Sequence, residues 1–104
     1  MPVVVVATFT VKPDSVATVR GICTAAVPRV HDEPGCQLYS LHETDGAFVF
    51  IEQWADADAL KTHSAAPAVT ELLDSLKEHL AAPPDITMLR PVPAGGAAKG
   101  LLRG

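Results

Sequence analysis

Four side chains near the middle of the chain could together move protons and hold a flat ring: Tyr39, Glu52, Trp54 and His63. An imidazole titrates close to neutral pH and can serve as a general base or a hydrogen-bond donor. A carboxyl group taken out of water has its pKa raised towards the same range. A phenol donates a hydrogen bond, and an indole offers a broad planar face for stacking. Each has a plainer reading as well. Glu52 could be a buried carboxylate bonded to Tyr39 or to a backbone amide, Trp54 could be core packing at a strand end, and His63 could be a helix-end histidine.

Strand register decides whether these groups meet. Asp45-Gly46 is a two-residue turn signal between apolar stretches, and such a loop favours a type I′ turn with positive φ at both positions. With Thr44 opposite Ala47, the pairs outward are Leu41–Phe50, Tyr39–Glu52 and Gln37–Trp54. Opposed residues share a face. One face therefore carries Gln37, Tyr39, Leu41, Phe48, Phe50, Glu52 and Trp54. The other carries Leu38, Ser40, His42, Val49, Ile51 and Gln53. His63 lies seven residues beyond Asp56, a good N-cap, so it falls about two turns into a short helix. Leu60 on that helix should face the sheet, and His63 shares its side.

The elements needed to hold this arrangement can be read in order. Val3–Val11 is β-branched and apolar on both faces, which predicts a covered strand. After Lys12-Pro13-Asp14, capped by Asp14 or Ser15, residues Val16, Val19, Cys23, Val27 and Val30 recur at helical spacing. Pro28 should kink or loosen the last turns, and Pro34-Gly35 ends the helix. Residues 36–44 and 47–54 form the hairpin, and a short helix runs from Asp56 to about Ser64. Pro67 opens another helix with Val69, Leu72, Leu73, Leu76 and Leu80 as its apolar stripe. After Pro83-Pro84, Ile86–Val92 reads as a last strand.

The order β-α-β-β-α-α-β predicts an α+β, ferredoxin-like sheet of four antiparallel strands with helices on one face. Residues 1–92 form one domain, and residues 93–104 read as a flexible tail or an arm on a partner. The uncovered face keeps Leu38, Val49, Ile51 and alternate valines of the first strand, which calls for a second copy packed sheet to sheet.

Bulk properties narrow the function classes. The 104 residues carry a net charge of −4, with 48% apolar and 19% charged residues, as for a folded domain. Basic residues are scattered, which disfavours nucleic acid as a partner. The longest apolar run, Val3–Ala7, is too short to span a membrane, and the N-terminus lacks signal-peptide features, so a cytoplasmic location is expected. Cys23 and Cys36 have neither metal-type nor redox-motif spacing and read as reduced thiols. No metal-binding set and no phosphate loop emerge.

Taken together, the first strand followed by Lys12-Pro13, the Glu33-Pro34-Gly35-Cys36 turn, Tyr39, His42, Glu52-x-Trp54, Ala59-Leu60, His63 and Pro67 resemble the antibiotic biosynthesis monooxygenase family. The resemblance covers residues 2–91. It implies dimeric α+β barrels with a cavity between sheet and helices in each subunit. It also implies oxidation of electron-rich phenols, anthrones or quinols by O₂ without metal, haem or flavin. Under that reading His63 accepts or relays a proton, and Tyr39 and Glu52 bond the ring oxygens. Trp54 and Phe50 clamp the ring, Leu72 lines the cavity, and Arg90 on the last strand stabilises a developing anion. Haem-degrading relatives place an Asn on the first strand and a His on the last helix. Here Ala7 or Thr8 and Leu73 stand there instead. An isomerase or mutarotase using His63 and Glu52, or a non-catalytic binding dimer, stay open beside the oxygenase. His42 is expected to face the dimer barrel, and His31 and His79 the solvent.

Overall fold

In the computed structural model, which describes residues 1–103, the elements follow the expected order. Strand β1 is Val3–Thr10, helix α1 Val16–His31, β2 Cys36–Thr44 and β3 Ala47–Trp54. Helices α2 (Ala57–Ser64) and α3 (Pro67–Leu76) come next, with a 3₁₀ turn at Lys77–His79. The chain closes with β4 (Asp85–Leu89) and the short helix α4 (Ala97–Gly100). The strands form one antiparallel sheet in the order β2-β3-β1-β4. This is the ferredoxin-like arrangement.

Alternation along the strands builds the core. Val5, Ala7 and Phe9 of β1, Tyr39 of β2, and Phe48, Phe50 and Trp54 of β3 face the helices and are buried. Val19, Cys23, Ala26 and Val30 of α1 and Ala68, Leu72 and Leu76 of α3 close over them. The stripe on α3 is rotated from the expected one, since Leu73 is exposed and Ala68 is buried. A small side chain there lets α3 approach its neighbours closely. Asp56 caps α2 as expected, its carboxylate accepting from the Ala59 amide at 2.8 Å. Pro67 occupies the first turn of α3, where its missing N–H has no helical partner to lose.

Several expectations are corrected. The hairpin holds the predicted register from Thr44–Ala47 to Leu38–Gln53, but a β-bulge follows, and Cys36 rather than Gln37 pairs with Trp54. The extra residue turns Gln37 off the helix-facing side, and its side chain accepts from Gln53 Nε2 at 2.8 Å. At the turn only Gly46 has positive φ, so it is not type I′. Helix α1 contains Pro28 in its last turn and ends at His31, three residues ahead of the Pro34-Gly35 stop. Strand β4 ends at Leu89, just before the Pro91 and Pro93 segment, where ring nitrogens cannot donate to a ladder. Arg90 therefore lies beyond the strand. His79 is half-buried, its Nδ1 paired with Ser15 Oγ at 3.0 Å. That contact ties the 3₁₀ turn to the start of α1.

The face away from the helices carries Val6, Thr8, Leu38, Ser40, Val49 and Ile51, all half-buried, and His42, which is exposed. The chain end returns towards this face, where the carbonyl of Arg103 accepts from Gln53 Nε2 at 3.3 Å. No helix among the described residues is long and apolar enough to cross a membrane.

Candidate active site

Tyr39, Glu52, Trp54 and His63 converge beneath α2, on the helix-facing side of β2 and β3. All are buried. Glu52 and Trp54 lie two residues apart on β3, so the pleat puts them on the same face. The Trp54 indole donates to Glu52 Oε1 at 2.9 Å. A fully buried indole needs such an acceptor, and a buried carboxylate needs such a donor. The His63 ring lies 4.2 Å from the Trp54 ring, centroid to centroid, tilted by 31°. Its Nε2 is 3.7 Å from Glu52 Oε1, close enough for attraction but too long for a hydrogen bond. Tyr39 stacks on Phe50 at 4.7 Å and sits edge-on to His63 at 5.7 Å.

A residue that the sequence reading left out completes the cluster. Glu33 Oε1 lies 2.7 Å from His63 Nδ1. The Glu33-Pro34-Gly35 turn reaches α2 because Gly35 has no side chain. A Cβ built there would stand 2.5 Å from the Cβ of Ala59. Gly35 also has φ of 79°, a left-handed conformation that other residues rarely adopt. Its carbonyl accepts from the Ala55 amide at 2.9 Å. The turn and the entry to α2 are thus docked together, and Glu33 is carried to His63. A glycine three residues before Tyr39's neighbour Leu38, with small Ala59 one turn before His63, was the available sign.

The electrostatics separate the roles open to each group. Burial pushes Glu52 up to about 7. The Trp54 hydrogen bond works against this shift, and the charge of Glu33 adds to it. Glu52 can therefore take up or release a proton near neutrality. Burial, followed by the charges of Glu52 and other neighbours, drives Tyr39 well above the usual phenol range. Tyr39 stays a phenol and can donate a hydrogen bond but not act as a base. The half-buried Cys36 thiol is raised by burial and by the charges of Glu33 and Glu52.

The other expected site residues lie apart from this cluster. Leu72 is buried on α3 and lines a recess of about 290 Å³ between α1 and α3 with Ile22, Ala26, Ala68, Arg29 and Glu71. Phe50 is wholly buried beneath Tyr39. Arg90 lines a surface recess with Val4, Gln53 and Leu89. His31 bonds the carbonyl of Tyr39 at 2.9 Å, and His42 bonds Ser40 at 2.7 Å on the open face. Among the described residues no three His, Cys, Asp or Glu side chains are grouped as a metal ion would require.

The model of the antibiotic biosynthesis monooxygenase family matches residues 2–80. The chain belongs to this family. Rv0793 of Mycobacterium tuberculosis, provisionally named a monooxygenase, is 30% identical over 98 residues, covering 92% of this chain and 97% of that protein. Its solved structure superposes with a TM-score of 0.85 at 28% identity over 92% of this chain and 100% of the other. A conserved protein of Methanosarcina mazei Go1 gives 0.82 at 25% identity, covering 86% and 92% of the two chains. PA3566 of Pseudomonas aeruginosa gives 0.80 at 26%, covering 88% and 94%. These structures share the overall fold of this chain.

Proposed function

We propose that this chain is a cofactor-independent monooxygenase that oxidises an electron-rich aromatic of quinol, phenol or anthrone type to a quinone with O₂, acting as a homodimer. The observation that carries this reading is the His63–Glu52 pair, an imidazole 3.7 Å from a carboxyl group that burial brings to about 7. Family membership supplies the reaction type.

His63 removes the proton from the substrate hydroxyl or its enol form, and Glu52 shares that proton. The resulting anion is electron-rich enough to pass one electron to O₂. The radical pair that forms combines at carbon as a peroxide anion, which takes up a proton and loses water to leave the carbonyl. In sum the substrate gives up two protons and four electrons, which reduce O₂. One oxygen atom becomes the carbonyl oxygen, and the other leaves as water. Tyr39, held as a phenol, donates to the ring oxygen that carries negative charge. Trp54 provides the stacking face. Because Trp54 and His63 lie against each other at 4.2 Å, a flat ring enters only as α2 or α3 moves outward.

The test is O₂ consumption by metal-free protein with 1,4-dihydroxynaphthalene or anthrone, against the rate of unaided oxidation. Uptake that depends on His63 supports the reading. A wild-type rate equal to the buffer rate, unchanged in His63→Ala, sinks it. The same acid–base pair would also serve an isomerase of a small oxygenated metabolite, which would turn over without O₂.

A further inference from the structure

We infer that Glu33 is a positioning residue, whose carboxylate holds the His63 ring with its proton on Nδ1 and so presents the Nε2 lone pair to Glu52 and to the ligand. A carboxylate only accepts hydrogen bonds, so a contact of 2.7 Å between Glu33 Oε1 and Nδ1 needs the proton on that nitrogen. In the neutral ring the unprotonated nitrogen is then Nε2, the atom 3.7 Å from Glu52. Trp54 packs against the ring and limits its rotation.

Two further observations separate this from a carboxylate that serves structure alone. Glu33 Oε2 is buried and has no hydrogen-bond partner among the described residues. A carboxylate kept for stability would have both oxygens satisfied, because an unpaired buried acceptor costs free energy. The backbone is also specialised to deliver it, through left-handed Gly35 seated against Ala59. The groups facing His63 are Glu33 from the turn after α1, Glu52 from β3 and Tyr39 from β2, with Cys36 beside both carboxylates. Of these, only the Glu52 carboxyl could compete with Glu33 as an acceptor of the ring proton, and at 3.7 Å from Nε2 it is too far for a hydrogen bond.

The inference rests on the proposed role of His63 as the base, but its test reads the ring directly. In ¹⁵N-histidine-labelled wild-type protein at about pH 8, above the usual imidazole range, the four histidines are resolved and His63 is identified by its loss in His63→Gln. The expected result is a protonated Nδ1 with a low-field proton and an unprotonated Nε2. In Glu33→Gln the amide can turn its NH₂ towards Nδ1. The low-field proton then disappears, Nε2–H is populated, and kcat falls on the order of 10²-fold with KM nearly unchanged. Glu33→Asp, which keeps the charge, restores part of both. An unprotonated Nδ1 in the wild-type protein overturns the inference, as does a Glu33→Gln variant with unchanged ring signals. The wild-type spectrum decides even if the variant does not fold. Absence of the Nδ1–H signature from the wild-type protein, with O₂ uptake still dependent on His63, refutes the role of Glu33 alone. The reverse outcome refutes the oxygenase reading alone.

Discussion

Trp54 donates to the same oxygen of Glu52 that faces His63, so one carboxylate atom lies between an indole N–H and an imidazole nitrogen. That oxygen has one firm bond and one loose contact. The acid is held in place while its proton stays exchangeable.

The pH dependence of stability follows from Glu52. Its folded pKa of about 7 lies above the ordinary 4.5, so folding favours the protonated form. The contribution is most favourable below about pH 4.5, declines as pH rises, and is fully lost above about 7. The size of the loss is about 3 kcal/mol. Glu52→Gln keeps an acceptor for Trp54 and removes the charge. It should leave stability nearly unchanged at low pH and raise it by about 1–3 kcal/mol above pH 7. Urea denaturation of both proteins across this range is the check, and a parallel pair of curves would contradict it.

Gly35→Ala should destabilise the fold by about 2–4 kcal/mol, combining left-handed strain with overlap on Ala59. Gly46→Ala shares the positive φ, yet a Cβ there meets nothing within 4 Å. It should cost only about 1 kcal/mol. Denaturant midpoints give the difference, which measures the close approach by itself.

Thiol reactivity should split the two cysteines. Cys23 is fully buried and its thiol is pushed up to about 11, whereas Cys36 is half-buried. With a disulfide reagent at mildly alkaline pH, Cys36 reacts first and more slowly than free cysteine. Cys23 reacts only on unfolding. Equal rates in the native protein would be inconsistent with the packing of α1.

The open sheet face should form the contact between two copies. Ile51 stands on it between Val6 and Ser40. Wild-type protein is expected to sediment at twice the 10.9 kDa of one chain, and Ile51→Lys at that of one. A monomeric wild-type protein would remove the homodimer from the proposed function.

Local rules made most of the fold legible. Alternation counted from Asp45-Gly46 put Tyr39, Leu41, Phe50 and Glu52 in their observed places, because side-chain direction in a strand has period two. Asp56 and Pro67 marked the two helix starts for equally local reasons. The bulge was not legible, since no residue type at 36–38 demands one. Glu33 was missed because its partner lies thirty residues away and is reached through packing of Gly35 on Ala59. Arg90 was placed on a strand that ends one residue earlier.

The bulge between Cys36 and Leu38 settles a mismatch of length. β2 has nine residues and β3 has eight, and each end of the hairpin is pinned separately. One end is the tight turn at Gly46, and the other is the seat of Gly35 on α2. A hairpin of equal arms could satisfy only one of these anchors. The surplus residue acts as slack, like a spare link in a chain held at both ends. Shortening β2 by that one link would leave Tyr39 facing Glu52 and would pull Glu33 away from His63. The spacing between Glu33 and Tyr39 is therefore metered by a single residue, Gln37, whose side chain bonds Gln53 instead.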